Sequence, residues 1–136
     1  MATLRLEITT PEAKVYSDDV EMVVVPGVEG ELGILPHHIP LLTAIKPGEL
    51  KVTKAGQSLY LAVGEGFAEV TLDAVSILTD MAIEEKAIDE AAAQEAVRRA
   101  EEAMRHPHIN DEEVASVQAT LQKSLAQLHV KRRRHG

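Results

Sequence analysis

Histidine occurs in two close pairs, His37-His38 and His106-x-His108, and neutral imidazole is a common zinc ligand. Both pairs lie in proline-interrupted segments without a carboxylate at ligand spacing, which is more typical of structural or solvent-exposed histidines. Gly64-Glu65-Gly66 lacks the lysine and hydroxyl residue that complete a phosphate-binding loop. No catalytic triad can be inferred from spacing, because triads are defined by geometry. We therefore predict neither a metal site nor catalytic residues.

The absence of cysteine narrows the possible chemistry further. With none in 136 residues, the chain has no disulfide, thiolate nucleophile or cysteine-based zinc site. Aromatic residues make up 2% and tryptophan is absent, so the large flat side chains common in ligand pockets are scarce. A small hydrolase or isomerase, which needs a deep polar pocket with a perturbed acid or base, is the least favoured function.

The charge is unevenly distributed along the chain. The net charge of −8 disfavours general binding to nucleic acids. The acidic excess precedes residue 80, whereas the chain closes with the basic run Lys131-Arg132-Arg133-Arg134. This asymmetry predicts two parts with different partners. The basic tail either binds carboxylates of a partner or is a solvated terminus, and binding to nucleic acid or anionic lipid is a weaker alternative.

The sequence contains no signal for insertion into a membrane. Residues 1–6 lack the basic start and apolar run of a signal peptide, and no apolar segment is long enough to span a bilayer. A cytosolic setting fits best, and any attachment to a membrane must go through a partner.

The first 80 or so residues have the periodicity of strands. Short apolar or alternating runs are separated by turn signals such as Pro26-Gly27, Pro47-Gly48 and Ala55-Gly56. Many short strands without an intervening helix predict an antiparallel β-sandwich or flattened barrel. The predicted strands are 4–8, 22–25, 50–54, 59–63, 67–71 and 75–78.

From about residue 84 the composition is that of helices. We predict one helix over about residues 87–105, with Asp89 and Glu90 at its start, and a break at Pro107. Asn110 or Asp111 can cap a second helix, whose apolar stripe is Val114, Val117, Leu121, Leu125 and Leu128. The fold class is therefore α+β: a β-sandwich domain, residues 1–84, followed by an antiparallel two-helix hairpin, residues 85–136.

Alanine dominates the predicted inner face of the first helix, at Ala92, Ala96, Ala100 and Ala103. Each alanine contributes roughly 2.4 kcal/mol less than leucine, at about 0.8 kcal/mol per buried carbon. An isolated two-helix unit of this size is marginally stable. We therefore predict that the hairpin docks and undocks while the β half stays rigid.

Residues 27–48, GVEGELGILPHHIPLLTAIKPG, combine glycine turns with proline-punctuated apolar stretches. By composition alone they would form an ordinary hairpin in a β domain. Their order, however, resembles the pattern Gly-x-x-Gly-x-Leu-Gly-Ile-x-Pro-x-His-x-Pro-Leu-Leu-Thr of the epsilon subunit of bacterial and chloroplast F-type ATP synthases, the counterpart of mitochondrial delta. The opening Leu-x-Ile-x-Thr-Pro strand, the run 64–70, Ile88-Asp89-Glu90-Ala91 and the closing 125–128 extend the resemblance over essentially the whole chain.

The resemblance implies a role in the rotor. The sandwich would bind the gamma subunit at the foot of the central stalk and rest on the ring of c subunits. Thr10 and His38 would lie against gamma. The loop Glu29-Gly30-Glu31-Leu32 would face the c ring.

The resemblance also implies that the hairpin, when extended, inserts between gamma and the catalytic alpha and beta subunits and blocks ATP hydrolysis. Arginine suits the acidic stretch expected on beta, because its planar fork binds carboxylates in a bidentate way. The candidate basic residues are Arg98, Arg99, Arg105, Lys123, Lys131, Arg132, Arg133 and Arg134.

Some bacterial members of the family bind ATP through an Ile/Leu-Asp-x-x-Arg-Ala motif. Here Ile88 and Asp89 are followed by Ala92 and Ala93, so alanine replaces the motif arginine. Lys123 and Gln127 stand where such members supply further arginines. We therefore expect no cofactor, and weak or absent regulatory ATP binding.

The favoured function is that of a non-catalytic rotor subunit that couples rotation to ATP synthesis and inhibits hydrolysis. It would sit at the cytoplasmic face of the bacterial inner membrane, or the stromal face of the thylakoid. The alternative is a stand-alone β-sandwich binding module with a helical oligomerisation hairpin.

Overall fold

A computed structural model of the chain describes residues 2–106 and 110–133, with side chains up to residue 132. The strands are β1 (Leu4–Thr9), β2 (Lys14–Val20), β3 (Met22–Gly27), β4 (Gly30–Ile34), β5 (Leu41–Ile45), β6 (Gly48–Lys54), β7 (Gln57–Val63), β8 (Gly66–Val70), β9 (Ala74–Thr79) and β10 (Ala82–Glu84). A 3₁₀ turn (Glu85–Ala87) leads to α1 (Glu90–Met104) and α2 (Asp111–Arg133). The predicted break at Pro107 lies outside the described residues.

The strands form one continuous sheet that curls back on itself. Its order is β10-β7-β6-β3-β5-β8-β9-β1-β2, and β4 pairs with β3. The β1–β9 pair is parallel, and the other described pairs are antiparallel. The predicted α+β class, a sandwich or flattened barrel followed by two helices, is confirmed.

Polar contacts close the barrel where β2 and the β2–β3 corner meet β6. Asp18 on β2 forms an ion pair with Lys54, whose hydrogen bond lowers the pKa of the Asp18 carboxyl. The backbone N–H of Glu21 donates to the carbonyl of Thr53 at 2.8 Å, and the Glu21 carboxylate accepts from the N–H of Gly56 at 3.0 Å. These contacts join strands that lie apart in the sheet order.

An aliphatic core fills the barrel. Sixteen buried hydrophobic residues form one cluster, among them Leu6, Ile8, Leu50 and Ile77, all fully enclosed. They come from alternate strand positions, because successive side chains point to opposite faces of a strand. The opposite face of the strands is more exposed to water and carries polar residues, among them the half-buried Glu7 and Lys51.

Four strands were not predicted: β2, β4, β5 and β10. β2 is polar and lies at the end of the sheet order, so its sequence lacks an apolar run. β4 and β5 lie in the glycine- and proline-rich segment whose composition suggested mostly turns. The turn predicted at Pro26-Gly27 is wrong, because both residues end β3 and the turn itself is Val28-Glu29.

The first helix begins later than predicted. Residues 85–87 form the 3₁₀ turn, and the extended Ile88 and Asp89 separate it from α1. The Asp89 carboxylate accepts the N–H of Ala92 at 3.0 Å and so caps the helix. At α2, Asn110 accepts the N–H of Glu113 at 2.8 Å, which confirms the predicted capping at this position.

The seam between the helices differs from the predicted one at two places. Ala100 is buried and Ala96 and Ala103 are half-buried as predicted, but Ala92 is exposed and Ala93 is buried instead. Ala93 lies three positions before Ala96 and seven before Ala100, so these three share one face of α1. On α2, Leu125 is 40% exposed although it lines a groove with Gln94 and Val97 of α1, so this member of the predicted stripe lies at the edge of the seam.

The two helices are attached to the barrel unequally. They run antiparallel, since Arg132 near the end of α2 pairs with Glu90 at the start of α1. α1 packs mainly on α2, whereas α2 packs on β6 and β7. A second, small cluster of buried residues joins Ala62 on β7 to Ile88 and Val130. The carboxyl half of α2 therefore carries most of the attachment.

Candidate functional site

One outer face of the barrel is apolar. Phe67 on β8 lies opposite Leu78 on β9, and Leu42 lies two positions from Ala44, the β5 partner of Phe67. Phe67, Leu78 and Leu42 are 54%, 59% and 69% exposed. We call these three residues the apolar face. Large exposed side chains in adjacent strands are typical of a surface that binds another protein.

Sequence reasoning identified Phe67 as a strand residue but did not assign it to a surface. The signal was present in the alternation, since Ala68 and Val70 are buried and therefore direct Phe67 and Glu69 outward. Leu42 and Leu78 could not be grouped with Phe67 without the strand pairing, because they lie 25 and 11 residues away along the chain.

Thr10 and His38 lie at opposite ends of the outer surface that carries the apolar face. Thr10 follows Thr9, the β1 partner of Leu78, and its N–H donates to the carbonyl of Ala13 at 2.9 Å. His38 lies in the turn after β4, where the neighbouring His37 donates its N–H to the carbonyl of Leu72 in the β8–β9 turn. Strand β9 runs between the two positions.

The predicted ring-facing loop is the tip of the β3–β4 hairpin. Glu29 lies in its turn, whereas Gly30, Glu31 and Leu32 begin β4, so the prediction that all four form a loop is wrong. Glu29, Gly30 and Glu31 are exposed and Leu32 is half-buried. Gly30 has a φ of 130°, a conformation that favours glycine. The tip therefore presents two carboxylates on a tight turn.

The cations of α1 are paired within the helix. Arg98 donates to both carboxylate oxygens of Glu95, at 2.6 and 3.1 Å, and to Glu102 at 2.9 Å. Arg99 donates to Glu95 at 3.3 Å. Arg105 is the C-cap residue and is exposed. The paired side chains move with the helix, so these contacts do not tie α1 to the barrel.

The cations of α2 contact other elements. Lys123 lies 3.6 Å from the carboxylate of Asp80, in the β9–β10 turn. Lys131 and Arg132 contact groups at the start of the helical part of the chain. The side chain of Arg133 and the whole of Arg134 lie outside the described residues.

The four residues of the degenerate ATP motif have structural contacts here. Ile88 is buried with Ala62 and Val130, and Asp89 caps α1. Ala92 is exposed in the first turn, and Ala93 is buried. Of the two further positions, Lys123 faces Asp80, and Gln127 donates to the sulfur of Met81 at 3.2 Å. No arginine side chain is supplied at any of these positions.

Among the residues that the structure describes, the histidines do not come together in a metal-binding arrangement. Within residues 2–106 and 110–133, no group of three or more histidine, aspartate or glutamate side chains is placed to hold a metal ion. His37 has a φ of 68°, and the Nδ1 of His38 lies 2.7 Å from the carbonyl of Ile39. His106 is exposed, and His108 lies outside the described residues.

None of the helices in the described part of the chain combines the length and apolar character needed to cross a bilayer.

By architecture, the chain is a strand-built barrel that carries a separate helical hairpin, with exposed apolar and charged surfaces. Two family models match it: the β-sandwich domain of the ATP synthase delta/epsilon chain over residues 3–85, and the long α-helix domain of that chain over residues 86–132. The chain therefore belongs to the ATP synthase delta/epsilon family.

Curated bacterial relatives agree over nearly the whole length. The ATP synthase epsilon chain of Dehalococcoides mccartyi is 44% identical, over 99% of this chain and 98% of the relative. That of Laribacter hongkongensis is 40% identical, over 99% of this chain and 100% of the relative. The identity extends across both the barrel and the helices.

Solved structures share the fold. A chain of the Euglena gracilis mitochondrial ATP synthase superposes with a TM-score of 0.79 at 23% identity, covering 95% of this chain and 81% of that one. A chain from the central stalk and c-ring structure of the Tetrahymena thermophila mitochondrial ATP synthase gives 0.60 at 14% identity, covering 98% and 96%. The arrangement of barrel and helices is thus retained at low sequence identity.

Because Glu95 is paired with arginines, the stability of α1 should vary with pH in the acid range. The hydrogen bond from Arg98 lowers the pKa of Glu95 from 4.5 to about 2. Because the folded-state pKa is depressed, the stabilisation is complete above about pH 4.5 and is lost as the pH falls towards 2. The protection factors of the α1 amides, which are corrected for the intrinsic exchange rate at each pH, should fall over this window, and Glu95→Gln should remove that part of the pH dependence.

Glu101→Gln, on the same helix, is the matched control and should retain the wild-type profile. Identical profiles for wild type and Glu95→Gln between pH 4.5 and 2 would contradict the assignment.

Proposed function

We propose that the chain is a rotor subunit of an F-type ATP synthase that couples proton-driven rotation to ATP synthesis and inhibits ATP hydrolysis through its helical hairpin. The family membership supports the assembly. The observation that carries the regulatory part is the unequal attachment of the helices: α1 packs mainly on α2, and α2 on β6 and β7. The hairpin can therefore leave without disturbing the sixteen-residue core of the barrel.

The proposed gamma-binding surface is the apolar face together with Thr10 and His38 at its two ends. Phe67 and Leu78 are directly paired across β8 and β9, so the face is a rigid part of the barrel. Burying a large apolar side chain contributes about 1.5–3 kcal/mol, which suits a lasting contact between two parts of one rotor. A stiff barrel with such a face can transmit torque without an active site of its own.

The proposed c-ring contact is the tip of the β3–β4 hairpin. Glu29 and Glu31 are exposed there and can pair with basic groups on a loop of the ring. An exposed ion pair contributes only about 0–1 kcal/mol. These two residues would therefore align the hairpin tip with the loop of the ring more than they would strengthen the binding. Contact with the membrane sector would be made through the ring alone. It would place the chain at the cytoplasmic face of a bacterial inner membrane or at the stromal face of a thylakoid.

The proposed inhibitory element is the hairpin with its cations. Released from the barrel, α1 and α2 would carry their arginine and lysine side chains to an acidic surface of the catalytic alpha and beta subunits. The basic residues proposed for this contact are Arg98, Arg99, Arg105, Lys123, Lys131, Arg132, Arg133 and Arg134.

We propose further that ATP binds weakly or not at all. Phosphate groups need cationic donors, and Ala92 supplies none. Lys123 and Gln127 already contact Asp80 and Met81 in the docked hairpin. The hairpin would thus be controlled by its own contacts and its partners rather than by a bound nucleotide.

A charge on the apolar face should weaken the gamma complex. Phe67→Glu removes an apolar contact of about 1.5–3 kcal/mol, which corresponds to roughly tenfold to hundredfold weaker binding. Co-expression with gamma followed by pull-down and titration measures this loss. Met104→Glu changes a 37% exposed apolar residue on α1 and serves as the control, with unchanged binding. Equal affinity for wild type and Phe67→Glu would reject the proposed surface, and no complex with wild type would reject the rotor assignment.

Removing the hairpin should raise ATP hydrolysis by the assembled catalytic head. Truncation after Glu84, where β10 ends, deletes both helices and keeps every strand. A second truncation after Val130 removes the basic run, which includes the last three residues of α2, and keeps the rest of both helices. Steady-state hydrolysis rates would be compared at equal occupancy of the subunit. A head that hydrolyses ATP at the same rate with the full chain and with residues 1–84 would contradict inhibition by the helices.

Calorimetric titration of the isolated chain should detect weak ATP binding or none. Losing a charge-assisted guanidinium contact costs about 1.5–3 kcal/mol, or roughly tenfold to more than hundredfold in affinity. Ala92→Arg is the informative variant, because Ala92 is exposed and has room for a longer side chain. Submicromolar binding of ATP to the wild-type chain would overturn this proposal.

A further inference from the structure

Three cations in the carboxyl half of α2 each contact an acceptor on another element. Lys123 lies 3.6 Å from Asp80, Lys131 donates to the carbonyl of Glu85 at 3.2 Å, and Arg132 donates to Glu90 at 3.1 Å. The acceptors belong to the β9–β10 turn, the 3₁₀ turn and the first turn of α1. Two of the three contacts therefore join α2 to segments next to the barrel, and the third joins the free ends of the hairpin.

The Lys123–Asp80 contact depends on the absence of a side chain at the neighbouring Gly64. A Cβ atom at Gly64 would lie 1.9 Å from an oxygen of Asp80 and 3.3 Å from Cδ of Lys123. Gly64 is buried and is held by its N–H, which donates to the carbonyl of Met81 at 2.9 Å. The missing side chain at Gly64 thus makes the room in which the ion pair forms. The Lys123 side chain is 31% exposed, so water and salt screen the pair only in part.

We infer that the Lys123 and Lys131 contacts form an internal electrostatic latch, with Asp80 and the Glu85 carbonyl withholding these two cations of α2 from an acidic partner. The Arg132–Glu90 contact lies within the hairpin and does not hold it on the barrel. Lys123 and Lys131 belong to the set proposed to bind the catalytic subunits. Each ammonium group satisfied within the chain must leave its acceptor before it can bind another carboxylate. The internal acceptors and an acidic partner therefore compete for the same cations.

The latch differs from the ion pairs of α1 in what it joins. Arg98 and Arg99 pair with Glu95 and Glu102 on their own helix, and these contacts persist whether or not the hairpin is docked. The contacts of Lys123 and Lys131 are broken when α2 leaves β6 and β7. Removing Asp80, in the β9–β10 turn, should consequently release the hairpin, whereas removing an acceptor on α1, such as Glu90 or Glu102, should not.

The expected effect is moderate and measurable. An exposed ion pair shifts an equilibrium by about 1.4-fold to fivefold. Loss of Asp80 should raise the ratio of undocked to docked hairpin by about this factor, since the Lys131 contact and the buried Val130 remain. Raising the salt concentration should mimic part of this change in the wild-type chain and have less effect in Asp80→Asn.

The test uses the full chain with spin labels at Gln57, at the start of β7, and Gln118, on the exposed side of α2. The chain has no cysteine, so two introduced cysteines label uniquely. Distance distributions would be recorded for wild type, Asp80→Asn, and the controls Glu90→Gln and Glu102→Gln. Asp80→Asn should show a larger undocked fraction, and both controls should match wild type. An undocked fraction in Asp80→Asn equal to that of wild type would overturn the latch.

Gly64→Ala is an independent variant, because it leaves every charge in place and displaces Asp80. It should also increase the undocked fraction, with thermal unfolding recorded to verify that the barrel is folded. A folded Gly64→Ala chain with the wild-type distance distribution would count against the latch.

The identity of the acidic partner rests on the proposed function, whereas the latch is tested in the isolated chain. In the assembled catalytic head, Asp80→Asn should deepen the inhibition of ATP hydrolysis. If the labels report release but hydrolysis is unchanged, the latch stands and the inhibitory role of the hairpin fails. If the labels report no release, the latch fails, and the truncation after Glu84 decides the inhibitory role separately.

Discussion

The packing of the carboxyl half of α2 on β6 and β7 holds the two parts of the molecule together. Val130 is fully enclosed between Ala62 on β7 and Ile88 at the entry to α1, so three segments meet at one side chain. α1 has its principal contacts with α2 and therefore moves together with α2. The position of the whole hairpin is thus decided by a few apolar contacts and the polar ones around them, while the barrel has its own core.

The surfaces of the two parts differ in kind. The barrel presents large apolar side chains, Phe67, Leu78 and Leu42, on a face whose strands are fixed by pairing on both sides. The hairpin presents mostly charged side chains, many of them already paired. Apolar contacts are lost only by exposing surface to water, whereas ion pairs exchange partners readily. The barrel is therefore suited to a permanent partner and the hairpin to an exchangeable one.

Hydrophobic periodicity was sufficient to predict the division into strands and helices and the six strands with apolar or alternating runs. It was insufficient for β2, whose sequence KVYSDDV is stabilised by pairing with β1 rather than by its own burial. It also missed β4 and β5, because glycine and proline there serve a tight hairpin and strand ends rather than a long loop. The prediction named Ala92 instead of Ala93 because alanines at spacings of three and of four both fit a helical stripe, and only the packing against α2 shows which one is buried.

The candidate interaction residues were predicted from the order of residues 27–48, not from their physical character. Glu29, Glu31 and His38 are ordinary surface residues by composition, and only the resemblance singled them out. The apolar face and the contact of Asp80 with Lys123 needed three-dimensional information, because each joins residues from separate strands or from a strand turn and a helix. Side-chain alternation predicts which way Phe67 points, but not which neighbours it meets.

The parallel pairing of β1 with β9 has a consequence for biosynthesis. Leu6 lies beside Val75, and Ile8 beside Ile77, so the first strand of the barrel is completed by nearly the last. Contacts between residues so far apart in sequence form slowly, because the intervening chain must first be ordered. On the ribosome, β1 must wait for β9 to be synthesised, with its apolar residues unprotected in the meantime. The barrel therefore closes only after β9 has been synthesised, and the helical segment emerges after the strands on which it packs.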